Sequence, residues 1–303
     1  VVAWRIPDHA IGGWRITASH SDAPGWKIKS DTVQNDGCRR LSVEGYGGMI
    51  MSSWLDRPLT VAGRVLLRTE DGVETRLVHF DRDLLVIPSL AIHMQRDVNQ
   101  GHHYNPQIDM QPLWGPADSR TLTDLLCEEL GVKAEDILDR DLQLVTRQAP
   151  TVIGPDGQYF MAPRIDDLEC AATTLLGFID AAAETDSACA PVWAMLDNEE
   201  VGSSSRQGAE SSFLRDVLDR ILEAIPHSAQ MEHRALANSF MLSADNGHAA
   251  HPNFAAKSDP AAPVRLGGGV VLKYNASQKY TTNALSGGIF RAICEKAGVP
   301  VQT

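Results

Sequence analysis

Apolar and polar positions along the chain change rhythm twice. Val1 to Ile6 and Ile11 to His20 read as strands, and Asp22 and Pro24 turn the chain after the second. Beyond residue 28, short β-rich runs are separated by turn signals. Val61–Arg68 and Glu74–Phe80 flank Asp71–Gly72, a hairpin cue. Leu84–Pro88 reads as a further strand. One helix interrupts this region, from Thr121 to Gly131, with Leu122, Leu125, Leu126 and Leu130 at three- and four-residue spacing and Gly131 as its C-cap. From Leu142 onward, strands and helices alternate. Strands are expected at Leu142–Val145, Val192–Leu196, Ser239–Ala244 and Gly269–Lys273. Helices are expected at Glu169–Glu184, Ser211–Ile225 (with a helical stretch opening near Arg206) and Asn283–Lys296.

Alternating strands and helices predict an α/β fold, a central mixed sheet flanked by helices, interrupted by a β-rich insertion. The pattern sets the boundaries at residues 1–28 and 142–303 for a discontinuous α/β domain and 29–141 for the insertion. The chain opens inside a strand and closes just after a helix, which suggests truncation at both ends. At 303 residues it is long enough to bury a sizeable core.

Composition narrows the function classes. A net charge of -12 argues against a nucleic-acid partner or an anionic membrane, both of which call for a basic patch. No apolar run is long enough to span a bilayer. The five cysteines are odd in number and lack CxxC spacing, as in a reduced, cytoplasmic protein.

Candidate chemistry gathers at expected strand ends. His20 and Asp22 follow one strand, Asp166 and Asp167 follow Ala162–Ile165, Glu199 and Glu200 follow Val192–Leu196, and Asp245 follows Met241–Ala244. Ligands in open α/β sheets bind outside the carboxyl ends of strands. Two adjacent glutamates at such an end raise each other's pKa and cost desolvation energy unless a cation is nearby. A solvated acidic loop is the simpler reading of Glu199–Glu200 taken alone. With His20, Asp166 and Asp245 the set offers one imidazole and several carboxylates, which suits Zn²⁺, Mn²⁺ or Co²⁺. No HExxH, Walker-type glycine loop or GxSxG elbow occurs.

Several longer motifs then carry a resemblance. They are Ser19-His-Ser-Asp-Ala-Pro24, Tyr46-Gly-Gly48, Ile87–Asn99 around Ile92-His93, Ala162–Leu168, Asp197–Ser203, Ser243–Asp245 with Gly247–Asn253, and Lys273-Tyr-Asn275 with Gln278–Tyr280. In this order they resemble the aspartyl aminopeptidase family of co-catalytic zinc exopeptidases along essentially the whole chain.

The resemblance implies two divalent metal ions, zinc first, with Mn or Co as alternatives. His20, Asp166 and Asp245 would hold one ion; Asp166, as a bridge, and Glu200 would hold the other. Asp22 would orient His20, and Glu199 would act as general base on a metal-bridged water. His93 would reach a neighbouring subunit's active site, while Lys273 and His248 would meet the substrate. The implied activity is removal of N-terminal Asp or Glu from peptides. The insertion would be a dimerisation domain, and the assembly a homododecamer built from dimers. Three departures stand out. Asp167 replaces an asparagine of the family pattern, Asn246-Gly247 interrupts another motif, and no histidine aligns with the second metal's C-terminal ligand. The last keeps open an alternative: a non-catalytic peptide-binding or assembly subunit with a defective second metal site.

Overall fold

The computed structural model describes residues 1–8, 10–33, 37–181, 188–226 and 228–303. In chain order its elements are β1 (Val2–Trp4), β2 (Gly13–His20), β3 (Gly25–Val33), β4 (Cys38–Tyr46), β5 (Leu59–Thr69), β6 (Gly72–His79), β7 (Leu113–Pro116), α1 (Leu122–Leu130) and β8 (Ile137–Thr146). They continue with β9 (Thr151–Ile153), β10 (Tyr159–Met161), α2 (Ile165–Asp180), β11 (Cys189–Leu196), α3 (Phe213–Glu223), α4 (Ala229–Ala237), β12 (Phe240–Ser243), β13 (Val270–Val271), α5 (Ala284–Ala297) and β14 (Val301–Gln302). The chain forms two compact units, Val1–Ala244 and Asp245–Thr303.

The first unit holds a mixed four-stranded sheet in the order β1-β11-β2-β12. β2 runs parallel to β11 and β12, and β1 is antiparallel to β11. Parallel strands in an α/β sheet are covered on both faces and so are apolar throughout. Trp14 and Ile16 of β2, with Ala190 and Val192 of β11, pack against Leu218, Ile221 and Leu222 of α3 and Ala235 of α4. Trp193 points to the opposite face, as the two-residue period requires, and its indole N–H donates to Thr174 of α2 at 3.0 Å. Burying side chains of this size contributes about 1.5–3 kcal/mol each.

The same unit contains a six-stranded antiparallel sheet in the order β6-β5-β8-β3-β4-β7. Its core includes Trp26, Leu41, Leu59, Val61, Ile87, Met110 and Leu142, with Leu122 and Leu126 of α1. α1 starts on a capping box between Thr121 and Asp124 and ends on Gly131, whose left-handed backbone (φ 66) suits glycine. β3 begins at Gly25 and β8 runs to Thr146, so this sheet reaches past residues 29 and 141 on both sides. Leu142–Val145, expected to open the alternating α/β region, belongs here instead. In this sheet β8 pairs with β5 and β3.

Other departures from the sequence pattern are local. Leu84–Pro88 makes only isolated bridges, at Leu85, Val86 and Ile87. The helix expected near Arg206 starts at Phe213, and α4 follows it as an element the pattern did not single out. α2 starts at Ile165, ahead of Glu169. The expected final turn of that helix, residues 182–184, lies outside the described residues.

In the second unit, β13 pairs in parallel with β14, and α5 runs from an Asn283–Ser286 capping box to Gly298. The strand expected at Gly269–Lys273 is thus a short one in a separate sheet. Among the described residues no helix is long and apolar enough to cross a membrane, and no disulfide forms.

Candidate metal centre

The parallel register of β2 and β11 pairs His20 with Leu196, so both strands end level. The loop after β2 carries Asp22, and the loop after β11 carries Glu199 and Glu200. Asn198 enters this second loop with a left-handed backbone (φ 63), a conformation asparagine tolerates. Asp22 joins the two loops. Its Oδ1 accepts the Glu199 backbone N–H and its Oδ2 the Glu200 backbone N–H, each at 3.1 Å. Tyr46 O–H donates to Oδ2 at 2.7 Å.

His20 is buried between carboxylates. Its Nδ1 lies 3.0 Å from the backbone oxygen of Asp22 and 3.3 Å from Asp22 Oδ1. A carbonyl oxygen only accepts, so Nδ1 carries the hydrogen. Nε2 then faces Asp166 Oδ1 at 3.2 Å. In the neutral ring these are two acceptors in contact, an arrangement that calls for a shared proton or a cation. Two ligands of one tetrahedral zinc, each about 2.0–2.1 Å from the ion, would stand about 3.3 Å apart.

Asp166 does not follow a strand, as the pattern suggested. Residues 162–164 form no strand, and Asp166 sits in the first turn of α2 with non-helical backbone angles (φ -75, ψ 112). Asp167, which the sequence placed beside Asp166 at the same expected strand end, is fully buried, and its Oδ2 accepts the His20 backbone N–H at 3.0 Å. Among the described residues, two groups of potential ligand atoms result: His20, Asp166 and Asp167, and His20, Glu199 and Glu200. In each, the atoms lie within 4.8 Å of one another.

The electrostatics agree with a cation site. Burial pushes the Glu200 carboxyl up to about 7, and the nearby charges of Asp166 and Glu199 push the same way. For His20, burial lowers the pKa, yet Asp167, Asp22, Glu199 and Asp166 together outweigh it and leave it raised. So much negative charge around one imidazole is the donor chemistry of a divalent metal, and these residues fit one.

His93 is exposed on a turn in which the Met94 N–H donates to the Ala91 oxygen at 2.8 Å. Asp245, His248 and Lys273 belong to the second unit. Within that unit Lys273 Nζ donates to Asp245 Oδ1 and to the Asn246 oxygen, both at 3.0 Å. His248 is exposed. Sequence reasoning gave no role to Tyr46 or Asn198. Tyr46 stood inside the Tyr-Gly-Gly motif, the only signal it offered.

A family model described as aminopeptidase I zinc metalloprotease (M18) matches residues 1–303. The chain belongs to the M18 family. A probable M18 family aminopeptidase 2 of Clostridium acetobutylicum is 39% identical over 299 residues, which cover 96% of this chain and 68% of that protein. Among solved M18-like structures, the chain matches the cryo-EM structure of the Ape4 and Nbr1 complex with a TM-score of 0.93 and 33% identity. That match covers 99% of this chain and 62% of the other, so the chain spans less than two thirds of it. The S. cerevisiae mApe1 dodecamer matches with a TM-score of 0.85 and 25% identity, covering 99% of this chain and 70% of that one. Zinc is therefore the metal the M18 family implies for the carboxylate–histidine cluster.

Proposed function

We propose that the full protein is a zinc-dependent aminopeptidase that removes N-terminal aspartate or glutamate from peptides, with two metal ions. The observation that carries the metal-dependent part of this reading is the contact of His20 Nε2 with Asp166 Oδ1 at 3.2 Å, backed by Glu199 and Glu200, while the acidic specificity rests on the resemblance of the motifs around Lys273. His20 and Asp166 would hold one ion with Asp245, and Asp166 and Glu200 the other. When bound, paired divalent ions polarise a carbonyl and lower the pKa of water.

The chain's own residues supply the rest. Asp22 holds the His20 ring by its Nδ1–H and leaves Nε2 to the metal side. The Glu199 carboxylate takes a proton from the attacking water as its oxygen bonds to the scissile carbonyl carbon. The same proton passes to the peptide nitrogen as the C–N bond breaks, which releases the amino acid and a shortened peptide. Lys273 supplies a positive charge for the acidic side chain, as the motif around it suggests. His93 acts on a neighbouring subunit's site, and the six-stranded sheet serves self-association. In support, His93 is flanked by exposed Leu90, Ile92 and Met94, apolar residues that assembly would cover. A dodecamer like that of yeast mApe1 is the expected form.

The test uses full-length protein with Asp-, Glu-, Leu- and Ala-p-nitroanilides, with and without chelator, alongside metal analysis and light scattering. Acid-selective, chelator-sensitive turnover with two zinc ions per chain is expected. Full activity after complete metal removal, or equal rates on neutral and acidic substrates, would sink the reading.

A further inference from the structure

Asp22 makes four polar contacts, about as many as a carboxylate's lone pairs allow. Three come from the end of β2 and the loop after β11: the His20 ring, and the N–H groups of Glu199 and Glu200. The fourth, Tyr46, comes from the end of β4 in the six-stranded sheet. Tyr46 is buried, and its hydroxyl also accepts from Asn198 Nδ2 at 2.7 Å. Asn198 Oδ1 in turn accepts from Ser205 Oγ at 2.6 Å. Every donor and acceptor in this row runs one way, from Ser205 through Asn198 and Tyr46 to Asp22. Burial, with Asp22 beside it, raises the Tyr46 pKa, so the phenol stays protonated and donates. The next residue, Gly47, lies so close to Glu200 that a Cβ there would stand 2.9 Å from Glu200 Cβ.

We propose that Tyr46 is a positioning residue of the metal centre: its hydroxyl, set by Asn198, fixes the Asp22 carboxylate and through it the His20 ring. The six-stranded sheet thereby helps shape the metal site in addition to any role in assembly. This inference rests on the reading of His20 as a metal ligand. An alternative is that Tyr46 only fills space, since Lys27 Nζ also lies 5.3 Å from the centre of its ring. A packing role predicts that loss of the hydroxyl leaves zinc affinity alone.

Tyr46→Phe in the full-length protein keeps the ring and removes the hydroxyl. Zinc affinity, measured by competition with a chromogenic chelator, should fall about tenfold, in line with other groups that orient metal ligands. In an Asp22→Asn background the same change should have no further effect, because Tyr46 acts through Asp22. Asn198→Gly suits the left-handed backbone at φ 63 and removes the amide, so it substitutes if Tyr46→Phe does not fold. His20→Ala, run in parallel, separates the two claims. If it keeps wild-type zinc affinity, the ligand reading fails. If it loses zinc while folded Tyr46→Phe (or Asn198→Gly) binds as tightly as wild type, or if the Tyr46 and Asp22 effects simply add, the Tyr46 proposal alone is overturned.

Discussion

Asp22 Oδ2 accepts the backbone N–H of Glu200 at 3.1 Å, which ties the loop after β2 to the loop after β11. The same carboxylate touches His20 Nδ1, so one buried group sets both an imidazole and a glutamate. Asp22→Asn preserves size but replaces one acceptor oxygen with an N–H₂ that faces other donors. Zinc affinity should fall about 10- to 100-fold. Chelator competition on folded protein measures this, and an unchanged affinity would show that Asp22 does not orient the ligands.

Gly47 makes a second contact between the same parts of the fold. Its backbone is left-handed (φ 70), and an added Cβ would meet Glu200 Cβ at 2.9 Å. Gly47→Ala should cost about 1–2 kcal/mol for the backbone alone, with a further penalty from the clash. Gly48→Ala is the control, because nothing lies within 4 Å of a Cβ there. Denaturant melts of the two variants should differ clearly. A difference no larger than the backbone penalty would mean that the loop after β11 yields freely at Glu200.

These contacts show which features could be read along the chain. His20 and Asp22 are two residues apart, and Glu199 and Glu200 follow an apolar run, so local pattern was enough to find them. α1 announced itself through Thr121, its leucine spacing and Gly131. Tyr46 reaches Asp22 across 24 positions of sequence, and no period or cap records such a contact. Asp167 looks like a polar residue at a helix start, and only burial beneath His20 distinguishes it. Asp166 was expected after a strand because Ala162–Ile165 is mostly apolar, yet the segment turns directly into α2. Leu142–Val145 forms a strand, as its pattern predicts, but a strand's composition does not name its neighbours, and pairing with β5 and β3 puts it in the six-stranded sheet and not at the start of the alternating region.

Lys273 is the proposed partner of the substrate's acidic side chain. It binds Asp245 Oδ1 and the Asn246 oxygen at 3.0 Å, so replacing it disturbs a candidate ligand as well as any contact with substrate. The informative quantity is therefore the ratio of kcat/KM for Glu- and Leu-p-nitroanilide, since metal loss lowers both. Lys273→Met should cut that ratio about 10-fold or more, as expected when a charged partner is lost from a shielded site. If both substrates decline in parallel, Lys273 supports the metal centre and does not read the acidic side chain.

Glu199 and Glu200 differ by one position and should differ in kind. Glu200 is half-buried, and its ordinary acidity is suppressed by burial and by Asp166, as a metal ligand's would be before the cation arrives. Glu199 is exposed, and its tie to Asp22 is made by the backbone N–H, which a side-chain change leaves in place. Glu199→Gln should therefore keep its zinc and lose turnover by about 10²- to 10⁴-fold, the usual contribution of a general base. Glu200→Gln should bind less zinc, and added zinc should restore part of its activity. Metal content and kcat, measured on both variants over a range of free zinc, separate the roles. A Glu199→Gln enzyme that recovers at high zinc would make Glu199 a ligand and leave the proton transfer to another group.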